Sequence, residues 1–339
     1  MSEVAVGAKR VPAIRLQHGE KVLVLSDIHF GLRRNGLLAT KFRELEGFLA
    51  RLAEDPPSLL VLLGDVFELW TARVRDVVGT AVAPLRRLAR VSSLVAYVVG
   101  NHDKVVARLS GRAPYSVDNL LVVPELLVLD VAGRRGVLFH GHQLDWKFTS
   151  LRGLWRLEPY IYVFSETLSV LPGPLEWVLA ATYAALTPAL LYLTRGAPLA
   201  YRALALASAP LLAAPLLLLL LRSLQASAWY DLIQPLAERL TRGRLRGHAI
   251  STEAVGRPLR RFIRELEAAG LGRVDFVVFG HTHVPGLAAD EEGRVVVNAG
   301  SWVEERGLPS CTFVRIRGGE VELAQWSGGS EVTLARRPL

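Results

Sequence analysis

The chain has 339 residues, enough for one large domain or two ordinary ones around a full buried core. Lys and Arg total 40 against 32 Asp and Glu, a net charge of +8. That balance suits nucleic acid, an anionic membrane surface or phosphorylated molecules without choosing among them. The single cysteine, Cys311, excludes an intrachain disulfide and a cysteine-built metal cage.

Met1–Gln17 has neither a long apolar core nor a small-residue cleavage pattern, so residues 1–16 are expected to be an N-terminal tail without a secretory signal. Lys21–Ser26 then reads as a Val/Leu-rich strand that ends at Asp27-Ile28-His29. Leu37–Glu54 carries the apolar spacing of a helix. Leu59–Leu63 is a second strand ending at Gly64-Asp65, and Arg75–Arg90 a second helix. Leu94–Val99 runs into Gly100-Asn101-His102-Asp103, and Gly136–Phe139 into His140-Gly141-His142. Strand and helix alternate, which predicts an α/β architecture.

The middle of the chain differs. Trp177–Thr194 and Ala203–Leu221 carry no charge. At ~1.5 Å rise per residue each spans roughly 27–29 Å, near the ~30 Å of a bilayer's hydrocarbon core. Both read as membrane crossings within a helical insertion at residues 151–249. Trp177, Tyr192, Tyr201 and Trp229 lie near their ends, where aromatic rings favour the interface. Two crossings return the chain to its starting side, as they must if motifs before and after the insertion share one site. Arg152, Arg156, Arg222, Arg239, Arg242, Arg244 and Arg246 flank the pair, against Arg195 and Arg202 near its tip. The positive-inside rule puts the flanking domain, residues 17–150 and 250–339, on the cytoplasmic side of the cell membrane. A hairpin dipping into one leaflet, or one buried in a soluble protein or dimer, are the other readings.

After residue 250 come a helix near Glu253–Ala269, a strand at Asp275–Phe279 that ends at Gly280-His281-Thr282-His283, and strands at Arg294–Asn298, Ser310–Ile316 and Glu320–Gln325.

Six of the eight histidines fall in these strand-end motifs; His18 and His248 remain and are read as surface residues. Alone, Asp27-x-His29 is no more than a surface pair, and Gly64-Asp65 is as weak. Alternation along a strand would aim Asp27 and His29 the same way. Asn101 offers a neutral carbonyl oxygen, His102 a proton or hydrogen bond, and Asp103 a carboxylate to hold the His102 proton. As a set, the motifs supply oxygen and nitrogen donors without thiolate. That suits Mn²⁺, with Fe or Zn²⁺ as alternatives. Two adjacent cations can do most of the work of cleaving a phosphate ester.

The ordered set Asp-x-His, Gly-Asp, Gly-Asn-His-Asp, His and Gly-His-x-His resembles the calcineurin-like metallophosphoesterase superfamily. The resemblance implies a four-layer αββα sandwich of two mixed sheets, here with an inserted helical hairpin. It implies that one of two divalent ions takes Asp27, His29, Asp65 and His283, and the other Asp65, Asn101, His140 and His281. Asp65 would bridge them, and His102 and Asp103 would be catalytic. His142, two residues after His140, is read separately as an outer support of the ligands. The wording of Ser26–His29, Gly64–Trp70 and Gly280–Pro285 is similar to the UDP-2,3-diacylglucosamine pyrophosphohydrolase branch. That branch usually has Arg where this chain has His102, and Asp where it has His142. What carries over is a hydrolase of a phosphate ester or pyrophosphate bond in a lipid-linked or amphiphilic substrate, with membrane lipids as partners of the hairpin. A tethered hydrolase of soluble nucleotides or nucleic acid, or a non-catalytic membrane scaffold, are the alternatives. No stretch interleaves aromatic and basic residues as a strand-binding groove would, so nucleic acid is not favoured.

Overall fold

Several strands in this chain are apolar at every position, the pattern of strands covered on both faces. The computed structural model describes residues 2–17, 19–34, 37–69, 72, 74–109, 114–144, 175–227, 252–305 and 307–339. The chain divides into two units, residues 1–152 with 244–339, and residues 153–243.

The first unit runs through β1 Ser2–Val6, β2 Lys9–Leu16, β3 Val22–Leu25, β4 Arg33–Arg34, β5 Leu37–Leu38, α1 Phe42–Glu54, β6 Leu59–Leu63, α2 Val74–Leu88, β7 Leu94–Val98 and α3 Val105–Leu109. It continues with β8 Tyr115–Val117, β9 Leu120–Val123, β10 Leu127–Val131 and β11 Arg134–Leu138. In the second unit lie α4 Leu175–Leu193 and α5 Leu199–Ser227. The first unit resumes with α6 Thr252–Leu266, β12 Phe276–Phe279, β13 Gly286–Ala289, β14 Val295–Asn298, β15 Thr312–Arg317, β16 Glu320–Ser327 and β17 Ser330–Pro338.

Two mixed sheets result, ordered β17-β16-β15-β3-β6-β7-β9-β8 and β1-β2-β10-β11-β12-β14-β13. Alternate residues of each strand serve different cores. Val22, Val24, Val61 and Val98 from one sheet meet Leu127, Leu129, Leu138, Phe276 and Val278 from the other. Their neighbours Leu23, Leu25, Leu60 and Leu62 face outward under α1 and α2, around Phe48 and Trp302. Val128, Val137 and Val277 face outward under α6, against Leu259 and Ile263. Helix, sheet, sheet and helix layers follow from that alternation.

Two expectations need correction. Residues 2–16 are not a tail: β1 and β2 form an antiparallel hairpin, and β2 pairs in parallel with β10. Val11, Ala13, Ile14 and Leu16 are buried there, although Lys9, Arg10 and Arg15 interrupt the apolar pattern that would have revealed the strand. The helix expected from Leu37 starts at Phe42. The Thr40 hydroxyl is bonded to the carbonyls of Ile28 and His29, and Leu37–Leu38 pair with Arg33–Arg34, which holds the chain extended up to that point.

In the second unit α4 and α5 form a helical hairpin joined through Thr194–Pro198. At its turn the Arg195 guanidinium lies 3.9 Å from the centre of the Tyr192 ring and donates to its hydroxyl at 3.1 Å. Among the described residues, no helix is long and apolar enough to cross a membrane. The two expected crossings are therefore withdrawn. Thr182, Tyr183, Thr187 and Tyr192 interrupt the apolar run of α4, and Arg202 and Ser208 that of α5. The flanking residues 152, 156, 229, 239, 242, 244 and 246, like His18 and His248, lie outside the described residues.

Candidate metal centre

Every motif sits just past the C-terminal end of a strand: Asp27 and His29 after β3, Asp65 after β6, Asn101 and His102 after β7, His140 after β11, and His281 and His283 after β12. β3, β6 and β7 run parallel in one sheet, as do β11 and β12 in the other, so their C-terminal ends collect at one edge. Backbone bonds extend the ladders into the loops. His29 N–H donates to Asp65 O at 2.9 Å, Phe30 N–H to Val66 O at 2.8 Å, and Gly280 N–H to His140 O at 2.8 Å.

Alternation along a strand is not what aims Asp27 and His29, because β3 ends at Leu25. Both residues turn into the left-handed region, with φ of 54° and 50°. Asp65, His281 and His283 do the same, at 50°, 69° and 58°. Five of seven expected ligands thus hold a conformation that disfavours side chains by about 1–3 kcal/mol each, a concentration characteristic of functional sites.

Two groups of donors converge, Asp27 with His29 and His283, and Asp65 with His140 and His281; a third, His29 with Glu68 and His102, adjoins the first through His29. Asp65 also approaches His29, in the first group. Its Oδ2 lies 3.0 Å from His140 Nε2, 3.8 Å from His29 Nε2 and 3.9 Å from His102 Nε2. Its Oδ1 accepts the His102 backbone N–H at 2.8 Å. Asp27 Oδ2 accepts the His281 N–H at 2.9 Å, while Asp27 Oδ1 faces His283 Nε2 at 3.2 Å.

The fit to metal ions rests on what these atoms do not do. Asp27 Oδ1, Asn101 Oδ1 and His140 Nε2 are buried and make no hydrogen bond among the described residues. Asp27 Oδ1 stands 3.2 Å from His283 Nε2 and His140 Nε2 3.0 Å from Asp65 Oδ2, close approaches without hydrogen-bond geometry. Burying three such atoms would cost several kcal/mol unless a cation receives them.

Outer partners set the imidazole tautomers. His29 Nδ1 contacts Glu68 at 2.9 Å, His283 Nδ1 contacts Glu305 at 2.7 Å, and His140 Nδ1 contacts the Leu63 carbonyl at 3.0 Å. Each acceptor keeps a proton on Nδ1 and leaves Nε2 for the site. Burial would raise the Asp27 and Asp65 carboxyls, yet the surrounding imidazoles hold both well below the usual carboxylate range. Burial would lower His140, but Asp65 and Asp27 push it up to about 9. His281, buried and beside His140, drops to about 3.

His102 and Asp103 are close in sequence but differently employed. Asp103 is fully buried and takes the backbone N–H groups of Gly100 at 2.6 Å and Val66 at 2.8 Å, tying the second motif to the third. The carboxylate at His102 Nδ1 is Glu68, 3.0 Å away. His142 opens a short 3-10 turn, with its ring 5.7 Å from that of His140 and 6.4 Å from that of His281, outside both donor groups. Sequence reasoning missed Glu68 and Glu305. Glu68 lies inside the motif-two wording, and its signal was a carboxylate within an apolar stretch.

Comparison with known proteins adds three findings. The sequence model of the calcineurin-like phosphoesterase family matches residues 20–209. The UDP-2,3-diacylglucosamine hydrolase of Serratia proteamaculans (strain 568) is 28% identical over 126 residues, 36% of this chain and 48% of that protein. The chain therefore spans about half the length of that curated relative. Among solved structures, Yfce, a phosphoesterase from E. coli, aligns over 94% of this chain and 98% of its own, at 16% identity and a TM-score of 0.41. A dimetal phosphatase from Danio rerio aligns over 94% and 99%, at 13% identity and 0.41.

Proposed function

The chain belongs to the calcineurin-like phosphoesterase family, and on that premise we propose that it hydrolyses a phosphate ester or pyrophosphate bond using two divalent metal ions. The observation that carries this reading is the clustering of Asp27, His29 and His283 beside Asp65, His140 and His281, with buried atoms of Asp27, Asn101 and His140 that make no hydrogen bond among the described residues. Asp27, His29, Asp65 and His283 would hold one ion, and Asp65, Asn101, His140 and His281 the other. Bound there, two cations would offset phosphoryl charge and activate water at neutral pH. The donor set of oxygen and nitrogen suits Mn²⁺. Asp27 and Asp65 bring the negative charge, Asn101 a neutral oxygen. His102 Nε2 lies near Asp65, and as an imidazolium the ring would donate from Nε2 to a phosphoryl or leaving oxygen while Nδ1–H stays on Glu68. Asp103 serves this reading as a brace between the two loops, and His142 as a ring packed beside the ligands.

Metal-stripped protein should be inactive and should regain activity on adding Mn²⁺ to a panel of lipid phosphates, nucleotide-diphosphate lipids, cyclic nucleotides and short nucleic acids. Turnover that survives stripping, or none on any member with Mn²⁺, Fe²⁺ or Zn²⁺, sinks the assignment.

The finer reading is a lipid-linked substrate, which two observations support. The Serratia relative is named for a diacylated sugar nucleotide. The hairpin exposes Leu193 and Leu199 by 77% and 78%, with Tyr192, Tyr201, Leu204 and Leu206 also exposed and Arg195 and Arg202 as the nearest charges. Such a surface fits the boundary between headgroups and acyl chains of one leaflet. The arginines at 152, 156, 239, 242, 244 and 246 favour an anionic leaflet, and hence the cytoplasmic face of the cell membrane. Wild-type protein is expected to float with vesicles containing anionic phospholipid. Leu193→Asp with Leu199→Asp should reduce flotation about tenfold or more while leaving turnover of a water-soluble chromogenic ester unchanged. Equal flotation of the two proteins removes the hairpin from the reading.

A further inference from the structure

We propose that Glu68 is a positioning residue that sets two imidazoles at once, holding the metal-ligand ring of His29 and the substrate-facing ring of His102 through a single buried carboxylate. The inference rests on the metal-dependent reading above and adds a link between its two parts.

Glu68 is fully buried. Its carboxylate contacts His29 Nδ1 at 2.9 Å and His102 Nδ1 at 3.0 Å. The two rings stand nearly perpendicular, their centres 4.9 Å apart. A carboxylate only accepts, so both rings must present N–H at Nδ1. Both Nε2 atoms are then left on the Asp65 side, 3.8 and 3.9 Å from its Oδ2. The backbone fixes where this carboxylate stands. Glu68 N–H donates to Phe30 O at 3.0 Å, and the paired bonds from His29 and Phe30 to the Asp65–Val66 carbonyls lock its loop against the His29 loop. A ligand of one ion and a ring facing the substrate therefore cannot reorient independently.

Glutamine is the informative replacement, because it keeps the shape and removes one acceptor. Glu68 Oε2 lies within 3.0 Å of both Nδ1 atoms and Oε1 within 3.0 Å of that of His102, so either flip of the glutamine sets its NH₂ group against at least the second ring, His102. That second ring has to bare Nδ1 and move its proton to Nε2, which closes Nε2 to a metal or alters what it offers the substrate.

Nitrogen-15 histidine spectra of metal-free wild-type protein should show both rings protonated at Nδ1. In Glu68→Gln at least one should lose that signature. Metal titration should show one of two binding steps weakened about 10–100-fold. On reloading with saturating metal, kcat should fall by a similar factor with little change in KM. Glu68→Asp, one methylene shorter, should retain Nδ1 protonation on one ring only. A bare Nδ1 on either ring of the wild-type chain overturns the proposal without any substitution. So does a folded Glu68→Gln that keeps both signatures and both binding steps. If wild-type protein binds two metals and shows the expected spectra but hydrolyses nothing, the reading of function fails and the role of Glu68 stands.

Discussion

Asp65→Asn should lower metal-dependent hydrolysis of a chromogenic phosphodiester by at least about a thousandfold, equivalent to roughly 4 kcal/mol of barrier. The replacement is nearly isosteric, and its oxygen can still accept the His102 N–H that Asp65 Oδ1 takes at 2.8 Å. What changes is the other arm. Asp65 Oδ2 lies among the Nε2 atoms of His140, His29 and His102 at 3.0, 3.8 and 3.9 Å, within reach of both donor groups. An amide there is neutral and directs hydrogens into space built for lone pairs. Two cations held by these residues would lose the negative charge that Asp65 would supply, and metal content should fall from two to one or none. Full activity with two bound metals would remove Asp65 from the bridging position.

Gly64→Ala should be strongly damaging although Gly64 is not itself a ligand. A methyl group at this position would stand 2.3 Å from His140 Nδ1 and 2.5 Å from Cγ, in a ring with no room to retreat because it is wholly buried. The left-handed backbone of Gly64, φ 80°, adds strain of about 1–2 kcal/mol for any side chain. Gly133 separates the two effects. Its φ is 78°, and a methyl group there meets nothing within 4 Å. Gly133→Ala should therefore destabilise by about 1–2 kcal/mol and leave metal binding alone. Gly64→Ala should lose roughly 3 kcal/mol or more and the His140 ligand with it, read by denaturant unfolding and metal titration. Equal losses in the two variants would mean that backbone strain, and not the approach of His140, is what Gly64 relieves.

Much of this was readable along the chain. Apolar runs ending in Asp, Asn and His marked the strands of both sheets, because strands covered on two faces carry no polar residue until they leave the core. β3, β6 and β7 were legible for that reason. The N-terminal hairpin was hidden by charged residues at solvent-facing positions. The hydrophobic hairpin shows the opposite failure: uncharged stretches were visible, but the helices they form are not long and apolar enough, among the described residues, to cross a membrane.

At the centre, residue order alone named the donors and their chemistry, because oxygen and nitrogen ligands are properties of side chains whatever their surroundings. It also placed them at strand ends, since the apolar runs stop there. Which group holds which was a matter of three-dimensional approach. Glu68 serves His29 and His102, Glu305 serves His283, and Asp103 braces two loops instead of holding its neighbour's proton. Those pairings join residues up to 39 positions apart in one case, and adjacent residues fail to pair in another. Hydrogen bonds depend on distance and direction, which the left-handed turns at Asp27, His29 and Asp65 supply and a string of letters does not.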